Sequence, residues 1–535
     1  MHVSARDKGS TNKGWSVALV REVVQAGVDS FGKKPFQLDE AQYLSGAGNV
    51  NPEGVHVLGR SLEGNNIIPF KTALKRSELF ECFGEHTTEP SILSPKDERY
   101  IEKGSILEKA LGKYGKPVRM PPADIIAEVM AHEKAEVRTW KGKKEVLTDE
   151  ELLEGLGYGV PSLDENTSAG WPYSLKGVSR KELIKSFRER GWYYEEFAKI
   201  DRETQEGIVP KVIWIETLKD ERRPLEKVAT GNTRSFSMAP FFHLLLMRKY
   251  FGAFVASFVR NADYSAIGVD PESPQWHEYG KMFEGGAYDA DYKNFDGTIH
   301  ATWFALYCEL VNYWYEDAFS LAREAIIETC ACRYSLASQT LLLLCQGSPS
   351  GLFLTAYFNT WVNDKYIKCA CIALYRKIPR WKRKLYGDDL LMKVTDPKFW
   401  GFFVVFLREM GITVTDSSKA KIPYEKELKD LEFLKRTFVE RDGIYFAAMD
   451  LKKAAEILYW VRNGPPKMRL YENLVQYQIL TFGWGKESHD ARVEYLKERV
   501  YSALPRWAMP YESILEWYKG EREKLDIEVN LSMLS

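Results

Sequence analysis

The stretch Trp381-Lys382-Arg383-Lys384-Leu385-Tyr386-Gly387-Asp388-Asp389-Leu390-Leu391-Met392-Lys393-Val394 sets a Gly-Asp-Asp tip between two apolar flanks. Gly and Asp tolerate turn geometry that β-branched residues resist, so the stretch reads as two strands joined by a tight turn. Two adjacent carboxylates then sit at the tip. Like charges that close are costly unless a cation neutralises them, and hard oxygen ligands suit a divalent metal. A solvated turn is the alternative reading, and further carboxylates at a suitable spacing would decide between the two.

Working outward, Gly285-Gly286-Ala287-Tyr288-Asp289-Ala290-Asp291-Tyr292-Lys293-Asn294-Phe295-Asp296-Gly297 reads as a short strand running into a turn, with Asp291 at its end. Asp289 and Asp291 fall on one face of such a strand, so periodicity leaves open which of them is a ligand. A helical segment is expected from Trp303 through Cys332. The cluster Gln346-Gly347-Ser348-Pro349-Ser350-Gly351 then leads into a helical pattern from Leu354 to Ile367, a place where free backbone N–H groups would receive an anion. A basic run, Arg376, Lys377, Arg380, Lys382, Arg383 and Lys384, returns to the hairpin and reads as a solvated or RNA-facing strand surface.

Further upstream, an apolar helix is expected around His243 to Phe258, and Lys211 to Lys219 reads as a strand. The charged segment after it presents Lys219, Arg223 and Lys227, then Arg234, a spacing that would line a path for phosphates. A solvated charged face is the bland alternative. Thr167-Ser168-Ala169-Gly170-Trp171-Pro172-Tyr173 is a loop whose hydroxyls and backbone donors suit a phosphate backbone, or simply a surface turn. Helices are expected over Ala123 to Ala135 and Ser179 to Arg188. The first sixty or so residues look irregular, with strand-like runs at Val17 to Val20 and Ile67 to Phe70. Beyond the hairpin, Phe399 to Met410 reads as a helix, Ile412 to Thr415 as a strand, and everything from Ala448 onward as a helical subdomain.

Composition bounds these readings. A chain of 535 residues exceeds one hydrophobic core, so two or three subdomains are expected. A hydrophobic share of 45% and a charged share of 28% exclude a chain dominated by disorder. With a net charge of −1, any nucleic-acid binding has to come from a local basic surface. Seven cysteines with no framework spacing read as buried free thiols of a reducing compartment, with zinc at the Cys330/Cys332 or Cys369/Cys371 pairs as the alternative. The long apolar run Phe236 to Val259 is broken by Arg248 and Lys249, which argues against a membrane span and for a soluble intracellular protein.

In order and spacing, these stretches resemble the RNA-dependent RNA polymerases of positive-strand RNA viruses, the picornavirus-like group including insect viruses, over roughly Thr167 to Phe438. The resemblance implies an α+β right-hand fold with fingers, a palm of antiparallel sheet and helices, and a helical thumb. It divides the chain into fingers (1–250), palm (251–298), fingers (299–345), palm (346–443) and thumb (444–535). Asp291 and Asp296 match the first palm motif, which makes Asp291 the metal ligand and Asp289 not. Ser350, Gly351, Thr355 and Asn359 match the motif around ribose and template. Tyr386-Gly387-Asp388-Asp389 matches the catalytic hairpin, Lys419 the lysine of the following motif, and Phe433-Leu434-Lys435-Arg436 the primer grip, with Lys435 and Arg436 on RNA. Lys219, Arg223, Lys227 and Arg234 match the fingers motif on the nucleotide path, and Thr167 to Tyr173, with Thr167 and Ser168 as RNA contacts, the template-path motif.

The implied activity is Mg²⁺-dependent nucleotidyl transfer to an RNA primer, with two ions held by Asp291, Asp388 and Asp389, Mn²⁺ as a substitute, and Lys419 as the acid that protonates pyrophosphate. A surface lysine is the bland alternative for Lys419. The implied partners are RNA template and primer, NTPs, a small protein primer and other viral replication proteins. The implied location is host cytoplasm, in replication complexes at membranes. A reverse transcriptase and an inactive RNA-binding scaffold are the rival functions. Two features depart from the picornavirus pattern: the region before the template-path motif is longer, and the chain opens Met1-His2-Val3 where those enzymes begin at a processed glycine.

Overall fold

The computed structural model describes residues 55–60, 71–82, 86–157, 159–462, 464–500, 504 and 506–520. The strand-like runs at Val17 to Val20 and Ile67 to Phe70 lie outside them. Among the described residues the strands are β1 (Val55–Arg60), β2 (Lys75–Arg76), β3 (Thr88–Pro90), β4 (Ile213–Leu218), β5 (Arg222–Pro224), β6 (Ser235–Met238), β7 (Tyr288–Tyr292) and β8 (Arg333–Ala337). They continue with β9 (Thr340–Leu344), β10 (Arg383–Tyr386), β11 (Asp389–Met392), β12 (Val414–Thr415), β13 (Thr437–Arg441), β14 (Ile444–Ala448) and β15 (Trp460–Val461).

Two sheets position the site. One has five strands in the order β1-β9-β8-β4-β6, the other four in the order β10-β11-β7-β12. The smaller sheet is antiparallel throughout, with β11 and β12 flanking β7. The hairpin β10–β11 closes with Tyr386 opposite Asp389, so Gly387 and Asp388 form a two-residue turn. Gly387 has φ +59, and Asp388 is not left-handed, the φ pattern of a II′ turn that glycine accepts at its first central position.

The helices cover these sheets. Phe241–Asn261 is apolar on nearly every face and lies in the largest core, with Trp303, Tyr307 and Phe358. It is long and apolar enough to cross a membrane, yet 83% of its apolar window is buried against protein. Thr355–Tyr375 extends two turns beyond the expected Ile367. Polar side chains in its second half, Asp364, Lys365 and Lys368, hide the apolar period from the sequence, because they are buried against one another and against Glu133.

Three further expectations need correction. Arg383, read as part of a solvated basic surface, turns inward and meets Asp364 at 2.6 Å. The region after Ala448 is not helical throughout, since Trp460 and Val461 form β15, which pairs with Lys75 and Arg76 of β2. The strand expected over Ile412 to Thr415 is confined to Val414 and Thr415. All seven cysteines are free, with Cys82, Cys332 and Cys345 half-buried and the other four buried.

Candidate active site

Asp291, Asp388 and Asp389 lie near enough to act on one another's charge where β7 and β11 run side by side. Leu390 faces Ala290, and one step further along the antiparallel register Asp389 comes level with Asp291. Side chains so paired stand roughly 4.5–5.5 Å apart at Cβ. Asp388 occupies the turn itself. Its side chain is exposed to solvent, with Asp296, Asp291 and Arg234 near enough to act on its carboxyl.

The electrostatics follow from that crowding. Burial, then the negative charge of Asp296, push the Asp388 carboxyl up to about 6, with Asp291 adding to the effect and Arg234 opposing it. Burial, then Asp388 and Asp291, push Asp389 up to about 7, against the nearby Lys435. Burial is the larger cause of both shifts, and repulsion among the acids adds to it. Asp291 itself receives the ammonium of Lys419. Among the described residues no three His, Cys, Asp or Glu side chains are gathered closely enough to hold a metal ion as they stand. The donor set is all oxygen, and its mutual repulsion is what a hard divalent cation relieves.

The turn is held from below by the Thr355–Tyr375 helix. Gly387 donates its N–H to Thr360 Oγ1 at 2.8 Å, and Asn363 Nδ2 donates to the Gly387 carbonyl at 3.0 Å. Tyr292, next to Asp291 on β7, donates its hydroxyl to Asn363 Oδ1 at 2.8 Å. Thr360 and Asn363 did not stand out in the sequence. The available signal was helical spacing, since Asn363 lies one turn beyond Asn359 and a buried polar pair at i and i+4 shares a face.

Asn359 donates Nδ2 to Asp296 Oδ1 at 2.6 Å, while its own buried Oδ1 has no partner. Ser350 Oγ is likewise buried without a partner. The Thr355 hydroxyl is used by its own chain, donating to the carbonyls of Pro349 and Leu352. Gly351 serves packing: a Cβ there would stand 1.8 Å from the Ser237 carbonyl of β6. The N–H groups expected to be free in this cluster are partly spent, Gly347 on Ile299 O and Ser348 on Asp296 O.

The cations line the opposite side. Arg234 lies near enough to Asp296 and Asp388 to feel both, and its guanidinium is gripped by Glu221, at 2.6 Å from Nε. Lys219 belongs to the same field: burial and then Arg234 hold its ammonium below the usual lysine range, against Glu221 and Asp296. Burial, then Arg234, likewise lower the Arg223 guanidinium, whose Nε donates to Asn232 O at 3.3 Å. Lys227, on the short helix Leu225–Ala229, makes no ion pair among the described residues. Glu221, which carries these cations, is the residue the sequence reading passed over.

Other expected contacts point elsewhere. Arg436 is bound by Glu272 at 2.7 Å. Lys435 stands at the tip of a tight turn in which Phe433 and Arg436 exchange backbone hydrogen bonds, with Leu434 at φ +50 and Lys435 at φ +61. Two non-glycine residues in that region carry strain that surrounding structure has to maintain. Thr167 donates its hydroxyl to Asp164 O, and Ser168 Oγ is shared with Ser174 Oγ at 2.9 Å, so the hydroxyls of this loop serve the loop itself.

A family model described as viral RNA-dependent RNA polymerase matches residues 78–500. The genome polyprotein of encephalomyocarditis virus is 30% identical over 451 residues, covering 82% of this chain and 19% of that polyprotein. The RNA1 polyprotein of Tomato torrado virus is 28% identical over 496 residues, covering 82% and 23%. The genome polyprotein of Rice tungro spherical virus is 27% identical over 599 residues, covering 95% and 16%. The chain thus spans about a fifth of the length of these curated relatives. Among solved structures, the Sicinivirus 3Dpol RNA dependent RNA polymerase superposes with a TM-score of 0.70 at 21% identity, covering 84% of this chain and 96% of that one, a likeness of fold.

Proposed function

The chain belongs to the viral RNA-dependent RNA polymerases, and from that membership we propose that it extends an RNA primer on an RNA template, taking NTPs and releasing pyrophosphate. The observation that carries this reading is the crowding of Asp291, Asp388 and Asp389 opposite Arg234 and Lys219, with the Asp296–Asn359 pair beside them. Asp291, Asp388 and Asp389 would hold two Mg²⁺ ions, with Mn²⁺ able to substitute, and the bound ions would neutralise the phosphate and both the attacking and leaving oxygens.

The chain's own groups do the rest. Arg234, Arg223 and Lys219 hold the triphosphate, and because Glu221 already grips Arg234, the nucleotide has to displace a carboxylate to take that guanidinium. Asn359, with its unpaired Oδ1, and Asp296 read the ribose hydroxyl. Lys419 leaves Asp291 and gives a proton from Nζ to the departing pyrophosphate. Lys435, at the tip of its turn, faces the primer end, and Lys227 extends the cationic path outward. Thr167, Ser168, Gly351 and Arg436 act by shaping the template and primer path.

By this reading the fingers comprise 1–250 and 299–345, the palm 251–298 and 346–443, and the thumb 444–535. A small protein primer, other viral replication proteins and membrane-associated complexes in host cytoplasm complete the proposal. The test is primer extension by purified protein with poly(A), oligo(U), UTP and Mg²⁺. Extension that needs the divalent ion supports the reading; RNA binding without extension would favour the inactive scaffold.

A further inference from the structure

Asp289, two residues before Asp291 on the same face of β7, is buried and has no part in the chemistry above. We propose that Asp289 is the positioning residue for Lys419, an inference that rests on the reading of Lys419 as the proton donor.

The backbone sets up the geometry. Residues 416–425 loop out between two anchors on the β7 side: Thr415 pairs with Asp291, and Lys426 exchanges both backbone hydrogen bonds with Ala287, the residue just before β7. Asp289 lies midway between the two anchors. Its Oδ1 accepts from Ser417 N at 3.2 Å and Lys426 Nζ at 2.8 Å, and its Oδ2 accepts from Ser417 Oγ at 2.7 Å and Glu432 N at 3.1 Å. A carboxylate offers about four lone-pair sites, and four donors fill them. Asp289 therefore has no acceptor capacity left for a metal ion, which separates it from Asp291 on physical grounds that strand period alone did not supply.

The grip passes up the loop. Lys426 Nζ also reaches Ser417 Oγ at 2.8 Å and Asp416 at 3.2 Å. Asp416 accepts from Ala420 N at 2.7 Å and from the Ser418 hydroxyl, and its carbonyl accepts from Lys419 N at 3.0 Å. Lys419 sits at φ +68 on the tip of this closed turn, its ammonium on Asp291. The contact with Glu432 N ties in the chain just before the Phe433–Arg436 turn, so one buried carboxylate holds the metal strand, the lysine loop and the Lys435 turn in register.

Two measurements test this. In the protein free of metal and nucleotide, acylation of Lys419 by an N-hydroxysuccinimide ester, read by peptide mass spectrometry against Lys185, should quicken in Asp289→Asn and in the gentler Ser417→Ala. In single-turnover incorporation, Asp289→Asn should lower kcat by about 10–100-fold with KM for UTP within about threefold, as expected when an interaction specific to the transition state is lost. Asp289→Asn combined with Lys419→Leu should be no slower than Lys419→Leu alone, to within about twofold, because the two changes would break one unit. Multiplying effects, or Lys419 acylation unchanged in both variants, would overturn the proposal. If Lys419→Leu incorporates at the wild-type rate, the proton-donor reading falls by itself, and the acylation result still decides whether Asp289 positions the loop.

Discussion

The two ends of one hairpin carry charge in opposite ways. At its base, Arg383 joins a largely buried group in which Glu133, Asp364 and the half-exposed Glu136 face Lys365, Lys368 and Arg383, three acids against three bases. Lys368 reaches Glu133 at 2.5 Å, Asp364 at 3.1 Å and Glu136 at 3.1 Å, and Lys365 reaches Asp364 at 2.8 Å. At its tip, Asp388 and Asp389 crowd Asp291 and Asp296, and the carboxyls rise to about 6 and about 7. A matched buried cluster is scaffold: its charges are paired by sign, and removing one strands the others. An unmatched cluster open to solvent has capacity for something that is not protein. The Thr355–Tyr375 helix serves both, with Asp364, Lys365 and Lys368 on the matched cluster and Thr360 and Asn363 on the turn.

The most severe way to break the comparison is at the tip. Asp388→Ala should lower primer extension by about three orders of magnitude or more, because a metal site is lost and not merely weakened. RNA affinity, measured by fluorescence anisotropy, should change little. Extension within tenfold of wild type would remove Asp388 from the site.

At the base, Asp364→Ala should act on stability instead. It leaves Arg383 and Lys365 buried without their shared carboxylate, a change that costs about 3–5 kcal/mol in comparable buried pairs. Thermal unfolding should report it, and Asp364→Ala unfolding at the wild-type temperature would mean that water already reaches the cluster.

The tip was far more legible in sequence than the base, and the reason is physical. Gly387-Asp388-Asp389 is a local signal, since turn geometry and carboxylate proximity are both set within a few residues, and β10 and β11 follow directly from it. The base cluster joins residues more than two hundred positions apart, Glu133 to Lys365 and Lys368, and sequence alone gives charged residues no reason to be inside. The same blindness turned Arg383 into a surface residue and cut the Thr355–Tyr375 helix short. Within the site, the positions of Asp291 and Asp296 are legible from a motif, whereas Glu221 on Arg234 and Asn363 on Gly387 depend on how two sheets and a helix meet. Pairing of Trp460 with Arg76 in β15 and β2 was hidden for the same reason, because a two-residue strand has no period to read.

A smaller effect is expected at the edge of the unmatched cluster. Asn359 donates to Asp296 and keeps a buried acceptor unused, an arrangement suited to a hydroxyl that donates to it. Wild type should therefore prefer UTP to its 2′-deoxy analogue. Asn359→Ala should lose about 1–3 kcal/mol of that preference, mainly through poorer use of UTP. An unchanged ratio of kcat/KM for the two nucleotides would exclude Asn359 from reading the sugar.

The smallest effect sharpens the comparison most, because it reads the imbalance from stability and not from turnover. In the unfolded chain an aspartate titrates near 4. In the fold Asp388 and Asp389 hold their protons up to about 6 and about 7. Between these limits the folded state binds more protons than the unfolded one, so stability falls as pH rises. The contribution is fully present below about pH 4, is lost as pH passes through 6 to 7, and stays lost above. Asp389→Asn removes one of the repelling charges, so it should raise Tm at pH 8 and leave it nearly unchanged at pH 4. In a chain of this length the shift would be about a degree or two. Mn²⁺ should likewise raise the wild-type Tm more at pH 8 than at pH 5, where protons compete for the same oxygens, and should raise that of Asp389→Asn less. The base cluster predicts the reverse dependence. Burial works against the charge on Asp364, but Arg383, Lys365 and Lys368 outweigh it and hold the carboxyl far below its usual range. Its stabilisation is therefore present at neutral pH and lost only in strong acid, so a Tm for Asp389→Asn that ran parallel to wild type from pH 4 to 8 would mean the tip is as well matched as the base.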